Sequence, residues 1–551
     1  MKITGAQAVV RILEEEGVKV IFGYPGGAVL PIYDALPGSG VEHVLVRNEQ
    51  AAVHAANGYA RVTGRVGVCL ATSGPGATNL ITGIATAYMD SIPIIAVTGQ
   101  VPVAMIGRDV FQEVDITGAT EPFTKHNYLV KDVRDIPRVF REAFHIAFTG
   151  RPGPVLIDIP TDVQSAELEY SYPDKLSLKG YKPTYKGHPG QIKKAAAALL
   201  EARQPLLCAG GGVITSHAEP ELKKLAELTH TPVATTLMGI GAFPSSHPLS
   251  LGMLGGDHGV YSAKYAVKEA DLLLVLGARM ADRSTGNLKE FAKDARIVHV
   301  DIDPAEIGKN VGTQIPIVGD VRHVLTDLLT ELSGARLPDH GEWLERTAHW
   351  KEILQGVGEN RTGLNPMEVI RTLSDRTGPD TILVTDVGQH QMWAGRYYRV
   401  EKPRTFLTSG GLGTMGYGLP AAIGAKMAAP DKEVLLITGD GGFQMSLPEM
   451  AVVIQQGLPI KILMMNNNCL GMVRELQQHH YRGRYHQVFM KGNPDFIALA
   501  KAYGFQAVRI TVEDDMPAEI KKILSWKGPV FAEFIIDPDA NVIPVSGGGE
   551  K

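Results

Sequence analysis

Leu435-Leu436-Ile437-Thr438-Gly439-Asp440-Gly441-Gly442 is a short aliphatic run that stops at a glycine-rich turn, and with 26 residues between it and Asp440, Asn467 stands in Asn466-Asn467-Asn468 behind a second such run, Ile460 to Met465. Each run is too short for a helix and is bounded by Gly or Asn, so each reads as a buried strand of a parallel sheet. Open α/β sheets bind ligands outside the carboxyl ends of their strands, which lets the two turns meet. Asp440 and Asn467, with the backbone carbonyl of Cys469, then offer the hard oxygen ligands that Mg²⁺ takes beside phosphate oxygens and water. Gly439 and Gly441, with Gly442 behind them, let the backbone come close to a diphosphate.

The same rhythm runs outward in both directions. Val66 to Thr72, Pro93 to Gly99, Pro154 to Pro160, Pro205 to Gly210, Asp271 to Gly277, Arg296 to Pro304, Thr381 to Gly388 and Pro529 to Asp537 are apolar runs that end at Gly or a polar residue and alternate with helical stretches. The class is α/β, with doubly wound parallel sheets covered by helices on both faces. Polar stretches with Pro or Gly at 164–190 and 335–365 break the rhythm and read as linkers. Three domains follow: 1–165, 190–335 and 365–551.

The 551 residues include 61 Gly, which suits many tight strand-to-helix turns, and at 44% hydrophobic and 21% charged the chain is neither disordered nor a coiled coil. Its net charge of −5 is spread without long blocks of one sign, so neither nucleic acid nor an anionic membrane is suggested as a partner. Cys69, Cys208 and Cys469 are too far apart for a zinc site or a disulfide framework. Met1 to Glu16 passes directly into a helical pattern without the regions of a signal peptide, so a cytoplasmic chain whose mature form starts here is expected. Thr72-Ser73-Gly74-Pro75-Gly76-Ala77-Thr78 is echoed by Thr408-Ser409-Gly410-Gly411-Leu412-Gly413-Thr414, as a duplicated α/β unit would leave.

The G-D-G and N-N elements at this spacing resemble the signature of enzymes dependent on thiamin diphosphate. The resemblance implies that Gly388, Gln389 and His390, after the strand ending at Asp386, hold the diphosphate, and that Met415 wedges the cofactor into a bent form. Such a cofactor needs a carboxylate at N1′ of its pyrimidine. Glu49, at the end of Val44-Leu45-Val46-Arg47-Asn48-Glu49 before a small-residue helix, stands where an acid suits this role; alone it also reads as a first-turn acid favoured by the helix dipole. Longer segments narrow the family. Gly67 to Pro93, Thr124-Lys125-His126, Gly150 to Pro160, Gly239 to Pro244 and Leu412 to Pro420 are similar to the catalytic large subunits of acetohydroxyacid (acetolactate) synthases, and the similarity runs nearly end to end.

This resemblance implies decarboxylation of pyruvate on thiamin diphosphate with Mg²⁺, and ligation of the hydroxyethyl group to pyruvate or 2-ketobutyrate, the first common step of branched-chain amino acid biosynthesis. It implies that Gly26 approaches the reacting centre, that Gln112 orients intermediates, and that Phe111, Thr161, Met472 and Leu476 line the substrate channel. The central domain would hold FAD in a non-redox role, with Arg151, Gly210, Gly211, Gly212, Thr236, Leu237, Met238, Arg279, Asp301 and Asp320 as its contacts. A homodimer or homotetramer with active sites between subunits is implied too, with room for a small regulatory subunit. The chain departs from the family at Thr161, usually Lys, at Leu476, usually Trp, around Gly255 to Gly259, which is one residue longer, and at Ala281, often Asp. A smaller wall at Leu476 predicts weaker preference for 2-ketobutyrate. Pyruvate oxidase and an inactive nucleotide-binding relative are the alternatives. Glu49 argues against a glyoxylate carboligase, and no clear G-x-G-x-x-G follows a first strand, as a nicotinamide dehydrogenase needs.

Overall fold

In the computed structural model, which describes residues 1–176, 178–353 and 363–543, three sheets of six parallel strands each form the framework. From edge to edge the first sheet carries Glu42–Leu45, Val20–Tyr24, Gly67–Ala71, Ile94–Gln100, Val155–Pro160 and His126–Leu129. The second carries Ser250–Met253, Val233–Thr235, Pro205–Ala209, Leu272–Leu276, Arg296–Asp301 and Ile315–Val318. The third carries Phe406–Leu407, Ile382–Thr385, Val434–Gly439, Ile460–Asn466, Val530–Ile535 and Gln506–Ile510. Central strands such as Ile460–Asn466 are buried at every position, as helices on both faces require.

Numbered along the chain, the strands of the first and third sheets follow one spatial order, 2-1-3-4-6-5, whereas the second runs 3-2-1-4-5-6, the order of dinucleotide-binding sheets. The shared winding agrees with duplication of one unit, but the sequence echo is out of register with it. Thr72–Thr78 follows the third strand of its sheet in chain order, and Thr408–Thr414 follows the second of its own. The equivalent of Thr72 in the third sheet is instead the Gly439–Gly442 turn.

The first and third sheets share one apolar core, in which Phe22, Val44 and Ala52 join Leu419, Leu436 and Ile462. Between them cross the helices Glu49–Thr63 and Gly418–Ala428. The two stretches read as linkers are not bare connections. Glu167–Glu169 pairs antiparallel with Lys2–Thr4, and the helix Gly341–Ile353 docks on the central domain, where Trp343 is buried and its Nε1–H donates to the Pro205 carbonyl at 2.9 Å. Residue 177 of the first stretch and 354–362 of the second lie outside the described residues.

A buried carboxyl in the first sheet makes stability pH-dependent. Asp158 accepts from Thr98 Oγ1 at 2.7 Å and Gln100 Nε2 at 3.0 Å, yet burial outweighs these bonds and pushes its carboxyl up to about 7. A carboxyl held above its unfolded value of ~3.9 contributes stability that is full below that pH and is lost as pH rises through about 7. The difference in Tm between Asp158→Asn and the parent chain is therefore expected to move in the variant's favour from about pH 4 to pH 7 and then level off. Thermal melts across that range test this, and a constant difference would show that Asp158 does not carry the dependence.

Candidate active site

Each outer sheet reverses its winding between its first and third strands, and ligands of such sheets bind at the carboxyl ends on either side of that point. In the third sheet Ile382–Thr385 leads into Asp386, Gly388, Gln389 and His390, and Val434–Gly439 leads into Asp440, Gly441 and Gly442. The neighbouring strand Ile460–Asn466 delivers Asn467 and Cys469. Together with Met415 and Met472, the residues from Gly388 to His390, the Gly439–Gly442 turn, Asn467 and Cys469 line one cavity of about 60 Å³.

The local bonding explains how this cavity holds its form. Asp386 is buried and accepts from the Val387 N–H at 2.6 Å and the Gly416 N–H at 3.0 Å, which fixes the loop bearing Met415; burial pushes its carboxyl up to about 6. A Cβ on Gly442 would lie 3.1 Å from Asp386 Cγ, so this glycine makes room for a protein carboxylate, while a Cβ on Gly441 would meet Leu470 Cδ2 at 2.7 Å. Asp440, also buried, accepts from Asn493 Nδ2 at 2.8 Å, and burial raises its carboxyl to about 6. Asn467 Oδ1 accepts from the Cys469 N–H at 3.2 Å, and its Nδ2 donates to Gln389 Oε1 at 3.3 Å. Gln389 Nε2 in turn donates to Glu475 Oε2 at 2.8 Å. The buried Cys469 thiol is pushed up to about 11, which leaves its carbonyl as the hard donor. Among the described residues no group of three or more His, Cys, Asp or Glu could hold a metal, so a cation here would rest on Asp440, an amide and carbonyl oxygens.

Two polar atoms on this cavity's wall residues await a partner. His390 Nε2 and Trp393 Nε1 are buried without a hydrogen bond, and burial lowers the imidazole to about 4, so the ring is neutral. Buried polar groups are nearly always paired, and in the tautomer that carries its proton on Nε2 the neutral ring would donate to an oxygen-rich group such as a diphosphate beside these glycine turns.

At the matching point of the first sheet stand Gly26, Thr72, Gly74 and Gln112. A Cβ on Gly26 would lie 2.5 Å from Thr72 Cβ, and one on Gly74, at φ +56°, would lie 2.9 Å from Gln112 Cα. Gln112 itself has φ 60°, uncommon for a residue with a side chain. Glu49 opens its helix behind the N-cap Asn48, and its Oε2 accepts from Asn79 Nδ2 at 2.9 Å. Glu49, Gly26, Gln112 and Phe111, the last 87% exposed, line neither the cavity around Asp440 nor the larger one between the domains, and nor do Thr161 and Leu476, both half-buried.

A larger cavity of about 770 Å³ lies where the three domains meet, within the range of cofactor sites. Gly211, Gly212, Thr236, Leu237, Met238, Arg279, Asp301 and Asp320 line it from the central domain, Arg151 from the first, and Met415 and Met472 join it to the smaller cavity. Arg151 pairs with Asp303 at 3.2 Å and Glu306 at 2.8 Å. Asp320 caps the helix Val321–Glu331 by accepting from the Arg322 and His323 N–H groups, and burial raises Asp301 to about 6. Gly210 is absent from the wall. A Cβ there would lie 2.2 Å from the Gly277 carbonyl oxygen, so this glycine serves strand-end packing.

Sequence reading passed over Asn493, Glu475 and Asn79, each of which holds a candidate residue through its side chain, and Asp386, whose carboxylate fixes the loop that bears Met415. No helix among the described residues is long and apolar enough to cross a membrane.

Comparison with known proteins agrees with this layout. Three family models match in order: the N-terminal TPP binding domain of thiamine pyrophosphate enzymes over residues 3–119, their central domain over 192–328 and their C-terminal TPP binding domain over 386–534. A probable acetolactate synthase large subunit of Methanocaldococcus jannaschii is 50% identical, covering 99% of this chain and 94% of its own. The acetolactate synthase large subunit of Corynebacterium glutamicum is 51% identical over 100% of this chain and 89% of its own, and that of Buchnera aphidicola subsp. Schizaphis graminum is 46% identical over 99% and 97%. The chain belongs to the thiamine pyrophosphate enzymes and, among them, to the family of acetolactate synthase large subunits.

Proposed function

We propose that the chain makes acetolactate from two pyruvates, and the corresponding acetohydroxybutyrate when 2-ketobutyrate is the second substrate, in the first common step of branched-chain amino acid synthesis. The observation that carries this reading is the small cavity in which Gly388 to His390, the Gly439–Gly442 turn and Asn467 converge on an orphaned imidazole nitrogen. Thiamin diphosphate, when bound, supplies a carbon acid whose conjugate base adds to 2-keto acids and absorbs the charge left as CO₂ departs. In this reading Asp440, Asn467 and the Cys469 carbonyl hold Mg²⁺, and the Gly388–His390 turn holds the diphosphate. Glu49 holds and returns the proton at N1′ of the pyrimidine. Gly26 and Gln112 face the reacting atoms, and Phe111, Thr161, Met472 and Leu476 form the substrate channel.

The small cavity has room for only part of such a cofactor, and Glu49 is outside it. This supports an active site completed by a second copy of the chain, in a homodimer or homotetramer, with a small regulatory subunit as a further partner. The 3-2-1-4-5-6 sheet and its large cavity support FAD in a non-redox role, with the pyrophosphate at Gly211 and Gly212 and a ribose near Asp301. The domain limits 1–165, 190–335 and 365–551 and a cytoplasmic location belong to the same reading.

Purified chain incubated with pyruvate, thiamin diphosphate, Mg²⁺ and FAD is expected to yield acetolactate, detected as acetoin after acid treatment. Peroxide or free aldehyde in its place would overturn the carboligase reading. With both keto acids present, Leu476→Trp is expected to raise the share of the 2-ketobutyrate product by about tenfold, since a well-packed apolar wall discriminates a methylene by roughly 1–3 kcal/mol. An unchanged product ratio would remove Leu476 from the channel.

A further inference from the structure

Glu449 is an acid in an otherwise apolar stretch, Leu447 to Val453, and it is 1% exposed. Its two carboxylate oxygens accept from the backbone N–H of Arg47, 402 positions away, at 3.0 and 3.3 Å. The Asn48 N–H adds a further favourable contact. The Arg47 guanidinium closes the other side of the junction, with Nη1 donating to the Leu45 carbonyl at 2.9 Å and Nη2 to Gln455 Oε1 at 2.7 Å. The turn from Leu45 to Asn48 is therefore held against the third domain at both its backbone and its side chain. Asn48 caps the helix that Glu49 begins.

A buried carboxylate is costly unless donors meet it, and an apolar side chain would fill the same space at less expense. The donors here belong to the two residues that set where Glu49 stands. Glu449 also ends the short turn Leu447–Glu449, which follows the helix Asp440–Met445, so one compact stretch joins the candidate metal residue to the loop before the candidate acid. We propose that Glu449 is a positioning residue for Glu49, fixing it from the third domain of the same chain through the Arg47–Asn48 backbone. The catalytic half of this inference rests on the proposed role of Glu49; the clamp itself does not.

Ionised, the carboxylate meets both N–H groups with acceptors alone. Burial pushes Glu449 up to about 7, and the opposing influences are the Arg47 N–H, its guanidinium and the Asn48 N–H. Protonation turns one accepting oxygen into a donor facing N–H groups, so the clamp loosens as pH falls through neutrality.

Hydrogen exchange on the unliganded chain tests the clamp without reference to catalysis. Glu449→Gln is expected to speed exchange at the Arg47 and Asn48 amides about tenfold at pH 8 while the helix Gly418–Ala428 keeps its protection. Unchanged exchange at Arg47 and Asn48 overturns the proposal, and so does equal loss of protection in both places, which marks a merely structural residue. In the loaded enzyme, kcat is expected to fall roughly 10- to 100-fold with little change in the KM for pyruvate, as a small misplacement of a reacting group does. The acid limb near neutral pH should vanish in Glu449→Gln, and Glu449→Asp, which keeps the charge, should recover part of the rate. A parental kcat and pH profile in Glu449→Gln would overturn the positioning role. Full activity of Glu49→Gln would instead remove the role of Glu49, with the exchange result left standing.

Discussion

Glu49→Gln is expected to lower acetolactate formation by roughly 10²- to 10⁴-fold, the usual worth of a placed proton-transfer group, while the chain folds and melts much as before. The geometry separates this outcome from its structural rival. Glu49 is the first residue of the helix Glu49–Thr63, where an acid gains ~0.3–1 kcal/mol from the helix dipole, and a purely structural role would forfeit no more than that. Gln matches Glu in size and its Oε1 can still accept from Asn79 Nδ2, which the carboxylate does at 2.9 Å. The amide cannot hold and return a proton, so the loss should fall on kcat. Steady-state kinetics with thiamin diphosphate and Mg²⁺ in excess, beside a thermal melt, decide the matter. A variant with full activity and ordinary cofactor dependence excludes Glu49 as the acid.

The sequence exposed the parts of the molecule that are local and buried. Runs such as Val434–Gly439 and Val530–Ile535 are almost wholly covered, so hydrophobic continuity marks them. The edge strands His126–Leu129, Gln506–Ile510 and the two-residue Phe406–Leu407 carry polar or half-exposed positions or are too short, and leave no such mark. The third-domain part of the candidate site was legible for a related reason. Gly439 to Gly442 and Asn467 follow neighbouring strands, and their pairing in register from Val434–Ile460 to Gly439–Met465 puts the two turns side by side.

What escaped notice are the side chains whose partners lie far along the chain. Glu475 reaches Gln389 across 86 positions, and Glu449 reaches Arg47 across 402. An acid inside an apolar helical stretch was the available signal for Glu449, since such a residue is either paired or costly. The Gly-rich echo misled in its register because flexible turns recur after many strands, whereas strand order is fixed by the whole sheet. That Glu49 does not line the cavity of Asp440 had no sequence signal beyond the family resemblance, because it depends on how whole domains pack.

The contact between those domains makes the second large prediction. Where the helices Glu49–Thr63 and Gly418–Ala428 cross, the buried residues are mostly small: Ala52, Ala55, Ala56 and Gly58 on one side, Ala421, Ala422, Gly424 and Ala425 on the other. A Cβ on Gly424 would lie 1.8 Å from the Ala55 carbonyl oxygen, and one on Gly58 would lie 2.1 Å from that of Ala421. Both obstacles are backbone, so no rotamer change can relieve them and the helices must move apart. Gly→Ala inside a helix would by itself stabilise by about 0.5–1 kcal/mol, but overpacking a tight contact costs typically 1–3 kcal/mol and strips neighbours from a core that both domains share. The steric term should win. Gly424→Ala is expected to lower the thermal midpoint and to reduce activity with it, because the helix that would shift begins at Glu49, and Gly424→Val should fail to hold the two domains together. Gly312→Ala, where an added methyl meets nothing within 4 Å, supplies the control that should leave both readings in place. If Gly424→Ala melted with the parent chain, the close crossing would not be what sets the spacing of the two helices.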